Sequence, residues 1–88
     1  MTETYINHPT FGLLSRICIL DDYRSLFTTL YAQRLFFVIT TTNGSNQFEM
    51  LTRADARMLV ETRMRHLRRE GHHSDYEQLQ HIFKRTFA

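Results

Sequence analysis

The sequence contains few of the residues that interrupt or cross-link a chain: one proline, three glycines and one cysteine among 88 residues. A disulfide needs two cysteines, so a chain with the single cysteine Cys18 cannot form an internal disulfide bond. A single cysteine fits a protein of the reducing cytoplasm. We interpret Cys18 as a small buried apolar residue. The three glycines are isolated from one another, which excludes a glycine-rich phosphate-binding loop.

Long hydrophobic runs are also missing. No stretch approaches the roughly 20 apolar residues that a membrane-spanning helix needs. The first residues lack the basic segment and apolar core of a secretory signal. The composition, 42% hydrophobic and 23% charged, is ordinary for a globular domain. We therefore predict a small cytoplasmic protein that does not bind membranes.

The net charge of the chain is small, but its acidic and basic residues are unevenly distributed. The formal net charge is only +2, whereas a dedicated nucleic-acid-binding protein is normally more basic. Residues 1–52 carry three arginines and four acidic residues, while residues 53–88 carry seven arginines and one lysine against five acidic residues. This shift in charge predicts two domains, at residues 1–52 and 53–88.

In the first half, apolar residues alternate with the period of two that is typical of strands. Phe11–Leu20 is one such run, and Ile17 and Ile19 are predicted to share a face. Asp21 and Asp22 then indicate a turn. Ser25–Tyr31 is ambiguous, because its leucines have helical spacing, but its threonine and aromatic content favours a strand.

The clearest strand pattern is Arg34–Thr42, although the alternation does not decide whether Phe36 or Phe37 faces the core. Asn43-Gly44 follows as a strong hairpin turn, because both residue types tolerate positive φ. Gln47–Leu51 then returns as a short strand. Several short strands separated by turns predict a small, curled antiparallel sheet.

After Thr52 the period lengthens to about three and a half, which indicates a helix. Thr52 and Asp55 form a capping-box pattern at its start, and Gly71 supplies a left-handed stop. Arg63 lies within the apolar stripe, where it extends past the second helix or pairs with Glu70 or Glu77. The alternative is a hairpin that is loosely packed at this position, which would let the second helix move. The stripe itself consists of Ala56, Leu59, Val60, Met64 and Leu67.

A second helix is predicted to begin with a capping box at Ser74 and Glu77. With a Gly-His-His link between them, the two helices are expected to form an antiparallel hairpin. The apolar stripe of the second helix contains Tyr76, Leu79, Ile82, Phe83 and Phe87.

Catalytic and metal sites have little support in the sequence. The acidic residues are scattered, and so short a chain has no evident means of building a water-excluding pocket, so we predict that it is not an enzyme. The histidine spacing matches no usual zinc pattern, and we interpret all five histidines as solvated side chains. The histidines are His8, His66, His72, His73 and His81.

A binding surface is better supported. Gln33 and Arg34 interrupt the most apolar run of the chain, and a polar pair there must lie at a turn or on a surface. Together with Tyr5, Tyr31 and Leu35 they have the composition of a protein-protein interface, although both tyrosines also fit the edge of a core. The arginine-rich face of the first helix leaves open the alternative of a nucleic-acid-binding or ribosome-associated module.

Four segments of this sequence resemble the PipX family, the small PII-interacting co-regulators of cyanobacteria. The similarity runs from residue 3 to residue 88, and its most distinctive part is LFTTLYAQRLFF. The four segments are TYINHPTFGLLSRICIL, LFTTLYAQRLFFVITT, RADARMLVETRMRHLRR and YEQLQHIFKRTF.

The resemblance implies an α+β fold, in which a Tudor-like, bent five-stranded antiparallel sheet precedes a two-helix hairpin. It implies an adaptor with two competing partners, the trimeric signalling protein PII and the dimeric transcription regulator NtcA, with further transcription regulators as additional candidates. The adaptor needs no cofactor, because 2-oxoglutarate and adenine nucleotides act through its partners, and it makes no direct DNA contact.

The resemblance also implies a shared surface for both partners, and alanine at Tyr31 or Leu35 is expected to weaken both complexes without disrupting the fold. The matching positions are Tyr5, Tyr31, Gln33, Arg34 and Leu35, with Glu3 and Phe11 as weaker matches.

Overall fold

The computed structural model describes residues 4–30 and 35–87. In these residues a five-stranded antiparallel sheet, with its strands in sequence order, is followed by two helices. This confirms the predicted α+β fold with a curled sheet. The elements are β1 Tyr5–His8, β2 Gly12–Ile19, β3 Arg24–Thr29, β4 Phe36–Thr42, β5 Ser45–Leu51, α1 Arg53–Arg69 and α2 His73–Phe87.

Both predicted turns of the sheet are present. Asn43 and Gly44 adopt φ angles of 51° and 75° and join β4 to β5 through the two-residue connection expected for this sequence. At the β2–β3 turn, the Asp21 carboxylate accepts hydrogen bonds of 2.9 Å from the backbone amides of Tyr23 and Arg24. The same carboxylate accepts a third bond, at 2.7 Å, from the Arg24 guanidinium.

A β-bulge in β2 changes the predicted arrangement of its side chains. Arg16 pairs with Phe27 and Cys18 pairs with Leu26, so Ile17 is the extra residue of β2. A bulge breaks strict alternation, and both Ile17 and Cys18 pack against the same core. The prediction that Ile17 and Ile19 share a face is therefore wrong: Ile17 is buried, whereas Ile19 is 45% exposed.

Strand β4 is buried on both faces, which answers the question that alternation left open. Phe36 and Val38 join the core between the sheet and the helices. Phe37 and Ile39 join a second cluster with Leu14 and other residues on the opposite face of the sheet. Because the sheet curls, side chains on the face away from the helices also find apolar partners, so neither phenylalanine is left in solvent.

Helix α1 begins and ends as predicted. The Thr52 hydroxyl oxygen accepts a hydrogen bond of 3.1 Å from the Asp55 amide. At the other end, Gly71 has φ 77° and its amide donates to the carbonyl of Arg68, while the His72 amide donates to the carbonyl of Leu67. These two bonds form the Schellman motif that a left-handed glycine permits. All five residues of the predicted stripe contribute to the main core.

Helix α2 begins earlier than its predicted capping box. It starts at His73, so Ser74 lies inside the first turn rather than at the cap, and the prediction of a Ser74 cap is wrong. The His72 carbonyl already accepts from the Tyr76 amide at 2.9 Å, because the Schellman motif leads the chain directly into the next helix. The five stripe residues of α2 pack in the main core.

The two helices are antiparallel, as predicted, and arginines of α1 join them. The Arg53 guanidinium donates to the carbonyl of Thr86 at 2.8 Å and lies 5.4 Å from the ring centroid of Phe87. One turn later, Arg57 lies 5.4 Å from the ring centroid of Phe83. A cation near the last carbonyls of α2 also complements the helix dipole.

The change from strand to helix falls at Thr52, between β5 and α1. One core, however, contains side chains from β2, β3 and β4 together with side chains from both helices. The division into separate domains at residues 1–52 and 53–88 therefore stays a prediction.

Candidate functional site

Leu35 lies at the entrance to β4 and is firmly held by β3. Its carbonyl accepts a hydrogen bond of 2.8 Å from the Thr28 hydroxyl and one of 3.2 Å from the Thr29 amide. Its side chain is half-buried and packs against the cluster that contains Phe37 and Ile39. The β3–β4 connection thus leaves Leu35 partly exposed on a rigid support.

Tyr5 is the first residue of the edge strand β1 and is 44% exposed. In the register of the sheet, Tyr5 pairs with Ser15, Ser15 with Thr28, and Thr28 with Phe36. Directly paired residues share a face, so Tyr5 lies on the face that carries the helices. Leu35 packs on the opposite face, at the same end of the sheet, so a partner that contacts both must cover this end.

Phe11 belongs to an aromatic cluster on the Leu35 side of the sheet. It is 40% exposed, and its ring centroid lies 4.9 Å from that of His8 and 5.7 Å from that of Phe37. The His8 ring also contacts Phe48, with centroids 4.8 Å apart. Phe11 and Leu35 therefore both adjoin Phe37 and contribute to one surface.

His8 corrects the interpretation of all five histidines as solvated. Its side chain is half-buried among three phenylalanine rings. Its Nδ1 accepts hydrogen bonds from the amides of Thr10 and Phe11, at 3.0 and 3.2 Å, and so closes the β1–β2 turn. The other four histidines, in or beside the helices, are exposed.

The remaining predicted site residues are Glu3, Tyr31, Gln33 and Arg34, and they lie outside the described residues. Their assignment stays a prediction. The described flanks of the β3–β4 connection are Leu30, whose amide donates to the carbonyl of Leu13 at 3.1 Å, and Leu35. The two described residues that flank the predicted recognition residues, Leu30 and Leu35, thus both form backbone hydrogen bonds within the sheet region.

A second feature, which the sequence did not predict, is a groove of about 810 Å³ between α2 and strands β1 and β2. Arg63 lines this groove in a half-buried position. Among the described residues the ion pair Arg24–Asp21 is the only one, so the predicted pairing of Arg63 with Glu70 or Glu77 is wrong. The unusual place of Arg63 in the apolar stripe was the one sequence signal for this groove.

Two polar groups at the groove are in unusual environments. Thr86 lines the groove and is 5% exposed, and its hydroxyl has no hydrogen-bond partner among the described residues. A buried hydroxyl left in this state costs about 1–3 kcal/mol. Burial raises the pKa of the Cys18 thiol from 9.0 to about 12, against the opposing charges of Arg63 and Arg16.

We expect Cys18 to react slowly with thiol reagents in the folded protein. The unfolded thiol has the lower pKa, so at pH 8 the folded protein holds about 10³-fold less of the reactive thiolate. Labelling with a disulfide reagent should be slower by about that factor in buffer than in denaturant. Equal labelling rates would contradict the burial of this thiol.

The same shift fixes the sign of a pH effect on stability. Between pH 9 and pH 12 the unfolded state has lost the Cys18 proton and the folded state retains it. The contribution of this group therefore makes the protein less stable as the pH rises through that window. A Cys18→Ala variant is the matched control, because its stability does not include the contribution of the Cys18 proton.

The arginine-rich face of α1 is largely used within the fold. Arg53 and Arg57 contact the aromatic rings of α2, and Arg65 donates to the Thr62 hydroxyl at 3.1 Å. Arg68 and Arg69 remain exposed, without a described side-chain partner. The nucleic-acid alternative stays a hypothesis, because none of the α1 arginines forms an ion pair with a carboxylate of the described residues.

Residues 4–30 and 35–87 contain neither a candidate metal site nor a candidate membrane-spanning helix. No group of three or more His, Cys, Asp and Glu side chains in these segments is placed to hold a metal ion. Neither helix there has the length and apolar character that crossing a bilayer requires.

Comparison with known proteins identifies a family. A search of curated proteins found none similar to this chain. The family model described as PipX, PII-interacting protein X, matches residues 2–87, nearly the whole chain. This match spans the sheet and both helices, in agreement with the resemblance of the four sequence segments. The chain therefore belongs to the family of PII-interacting protein X.

Proposed function

We propose that the protein is a small, non-enzymatic, cytoplasmic adaptor that binds either PII or the transcription regulator NtcA. The observation that carries this proposal is the match of the PII-interacting protein X family over residues 2–87. When 2-oxoglutarate is scarce and ADP is bound to PII, PII holds the adaptor. When 2-oxoglutarate is plentiful, the adaptor binds NtcA and co-activates nitrogen-responsive transcription.

The physical basis of co-activation is a population shift. An adaptor that binds the active form of NtcA more tightly than the inactive form raises the population of the active form. The adaptor then needs no effector pocket for 2-oxoglutarate, because the partners carry the effectors. If one surface serves both partners, binding to PII removes the adaptor from NtcA by mass action.

The proposed shared surface is the end of the sheet around the β3–β4 connection. The half-buried position of Leu35 and its hydrogen-bonded backbone support this choice, because a preorganised residue loses little entropy on binding. Phe11 extends the surface on one face of the sheet and Tyr5 on the other. The proposed residues are Tyr5, Tyr31, Gln33, Arg34 and Leu35, with Glu3 and Phe11 at the periphery.

An exchange experiment tests the two-partner proposal. The tagged full-length protein is immobilised and mixed with purified PII and NtcA, first with ADP and then with ATP and 2-oxoglutarate. We expect PII to be captured in the first condition and NtcA in the second. Capture of both partners to the same extent in both conditions would contradict the effector-dependent exchange, and capture of neither would contradict the proposed function.

A further inference from the structure

The groove between α2 and strands β1 and β2 is lined by both apolar and basic residues. Its apolar part is formed by Ile17 of β2 and by Leu79 and Ile82 of α2. Its volume of about 810 Å³ lies within the range of about 300–1,000 Å³ that is typical of small-molecule sites. The groove is therefore large enough for a compact organic molecule.

The polar part of the groove is predominantly basic. Arg16 and Arg63 are half-buried and Arg85 is exposed, and all three line the groove. None of them forms an ion pair with a carboxylate of the described residues, although Asp75 also lines the groove. Positive charge thus outweighs negative charge at this site.

Two of these arginines come from different elements of the fold. Arg16 of β2 and Arg63 of α1 both line the groove, together with Cys18. Half-buried guanidinium groups that have no carboxylate partner among the described residues favour a bound anion, because each group can donate charge-assisted hydrogen bonds to it. The apolar residues beside them favour a ligand with a nonpolar part.

We propose that this groove binds a small amphipathic organic anion, with its carboxylate or sulfonate group between Arg16 and Arg63 and its apolar part against Ile17, Leu79 and Ile82. Arg85 adds positive charge at the rim. Thr86 also lines the groove, and its buried hydroxyl has no hydrogen-bond partner in the part of the chain that the structure describes; a polar atom of such a ligand would satisfy it. This proposed ligand is distinct from 2-oxoglutarate and the adenine nucleotides, which are proposed to act through PII and NtcA.

A matched pair of fluorescent probes tests this proposal with the full-length protein. 8-Anilinonaphthalene-1-sulfonate carries the sulfonate that the groove is expected to bind, and N-phenyl-1-naphthylamine has the same rings without that charge. We expect the anionic probe to bind with one-to-one stoichiometry and at least about tenfold more tightly than the neutral probe, because it gains charge-assisted hydrogen bonds. Equal affinities would overturn the proposal.

Substitutions locate the site. Arg63→Gln is expected to weaken binding of the anionic probe about tenfold, and Arg16→Gln is expected to act in the same direction. Arg69→Gln is the control, since Arg69 lies on the same helix but does not line the groove. Unchanged binding in both groove variants, or equal weakening in the control, would overturn the proposal.

The fold must be monitored, because partly unfolded proteins also bind such probes. Near-ultraviolet circular dichroism is recorded for each variant, and backbone amide shifts are followed by NMR as the probe is added to the wild-type protein. We expect the largest shifts in β2 and in the part of α2 around Leu79 and Ile82. Shifts confined to other regions would overturn the assignment of the site. Because this titration uses the wild-type protein, it remains a test even if a substituted protein does not fold.

Discussion

Phe36→Ala is expected to lower the free energy of unfolding by about 3–5 kcal/mol, the usual cost of removing a fully buried phenylalanine ring. Phe36 has no exposed surface, and its ring stacks on Phe87 with centroids 5.3 Å apart. The substitution therefore opens a cavity where β4 meets the end of α2. For a chain of 88 residues, this loss is a large part of the total stability.

Urea denaturation followed by circular dichroism measures this effect. Tyr23→Ala is the matched control, because Tyr23 is also aromatic but is 64% exposed at the β2–β3 turn. We expect the control to change the stability by less than about 1 kcal/mol. If both substitutions cost the same, Phe36 does not join the sheet to the helices as described.

Tyr31→Ala is expected to weaken binding of PII by about 30-fold or more, the effect of removing a hot-spot tyrosine worth about 2 kcal/mol. Tyrosine contributes a large contact area at low conformational cost. Isothermal titration calorimetry with PII and ADP measures the change in affinity. Tyr23→Ala again serves as the control, since Tyr23 lies at the opposite end of β3 from the proposed surface.

Leu35→Ala is expected to weaken the same complex, but it also affects the fold. The Leu35 side chain packs on the cluster around Phe37, so its truncation costs a part of the roughly 2–5 kcal/mol of a fully buried leucine. The stability of this variant must be measured beside its affinity. Wild-type affinity in both Tyr31→Ala and Leu35→Ala would exclude the β3–β4 connection as the PII-binding site.

Local patterns predicted the fold wherever one interaction determined the local structure. Asn43-Gly44 fixed the last hairpin, and Thr52 fixed the start of α1, because each residue satisfies a backbone requirement within a few positions. No local pattern predicted the bulge at Ile17, because the position of an extra residue in β2 depends on how that strand pairs with β3. Serine is a residue type that often caps helices, but α2 begins before Ser74, because the Schellman motif at Gly71 leads the chain directly into that helix.

The binding residues were harder to predict from local patterns. Tyr5 and Leu35 are far apart in sequence, and only the register of the sheet places them on opposite faces of one end. The groove requires residues from β2, α1 and α2, so no sequence spacing could reveal it. Arg63 indicated the groove only as a charge in an apolar stripe, because the residues that face Arg63 depend on how the helices pack.

One calorimetric titration tests the proposed role of the protein most directly. The full-length wild-type chain is titrated with purified PII, once with ADP and once with ATP and 2-oxoglutarate. We predict binding with ADP and at least about tenfold weaker binding with ATP and 2-oxoglutarate, a difference of about 1.4 kcal/mol. No binding in either condition, or equal binding in both, would contradict an adaptor that PII holds and releases.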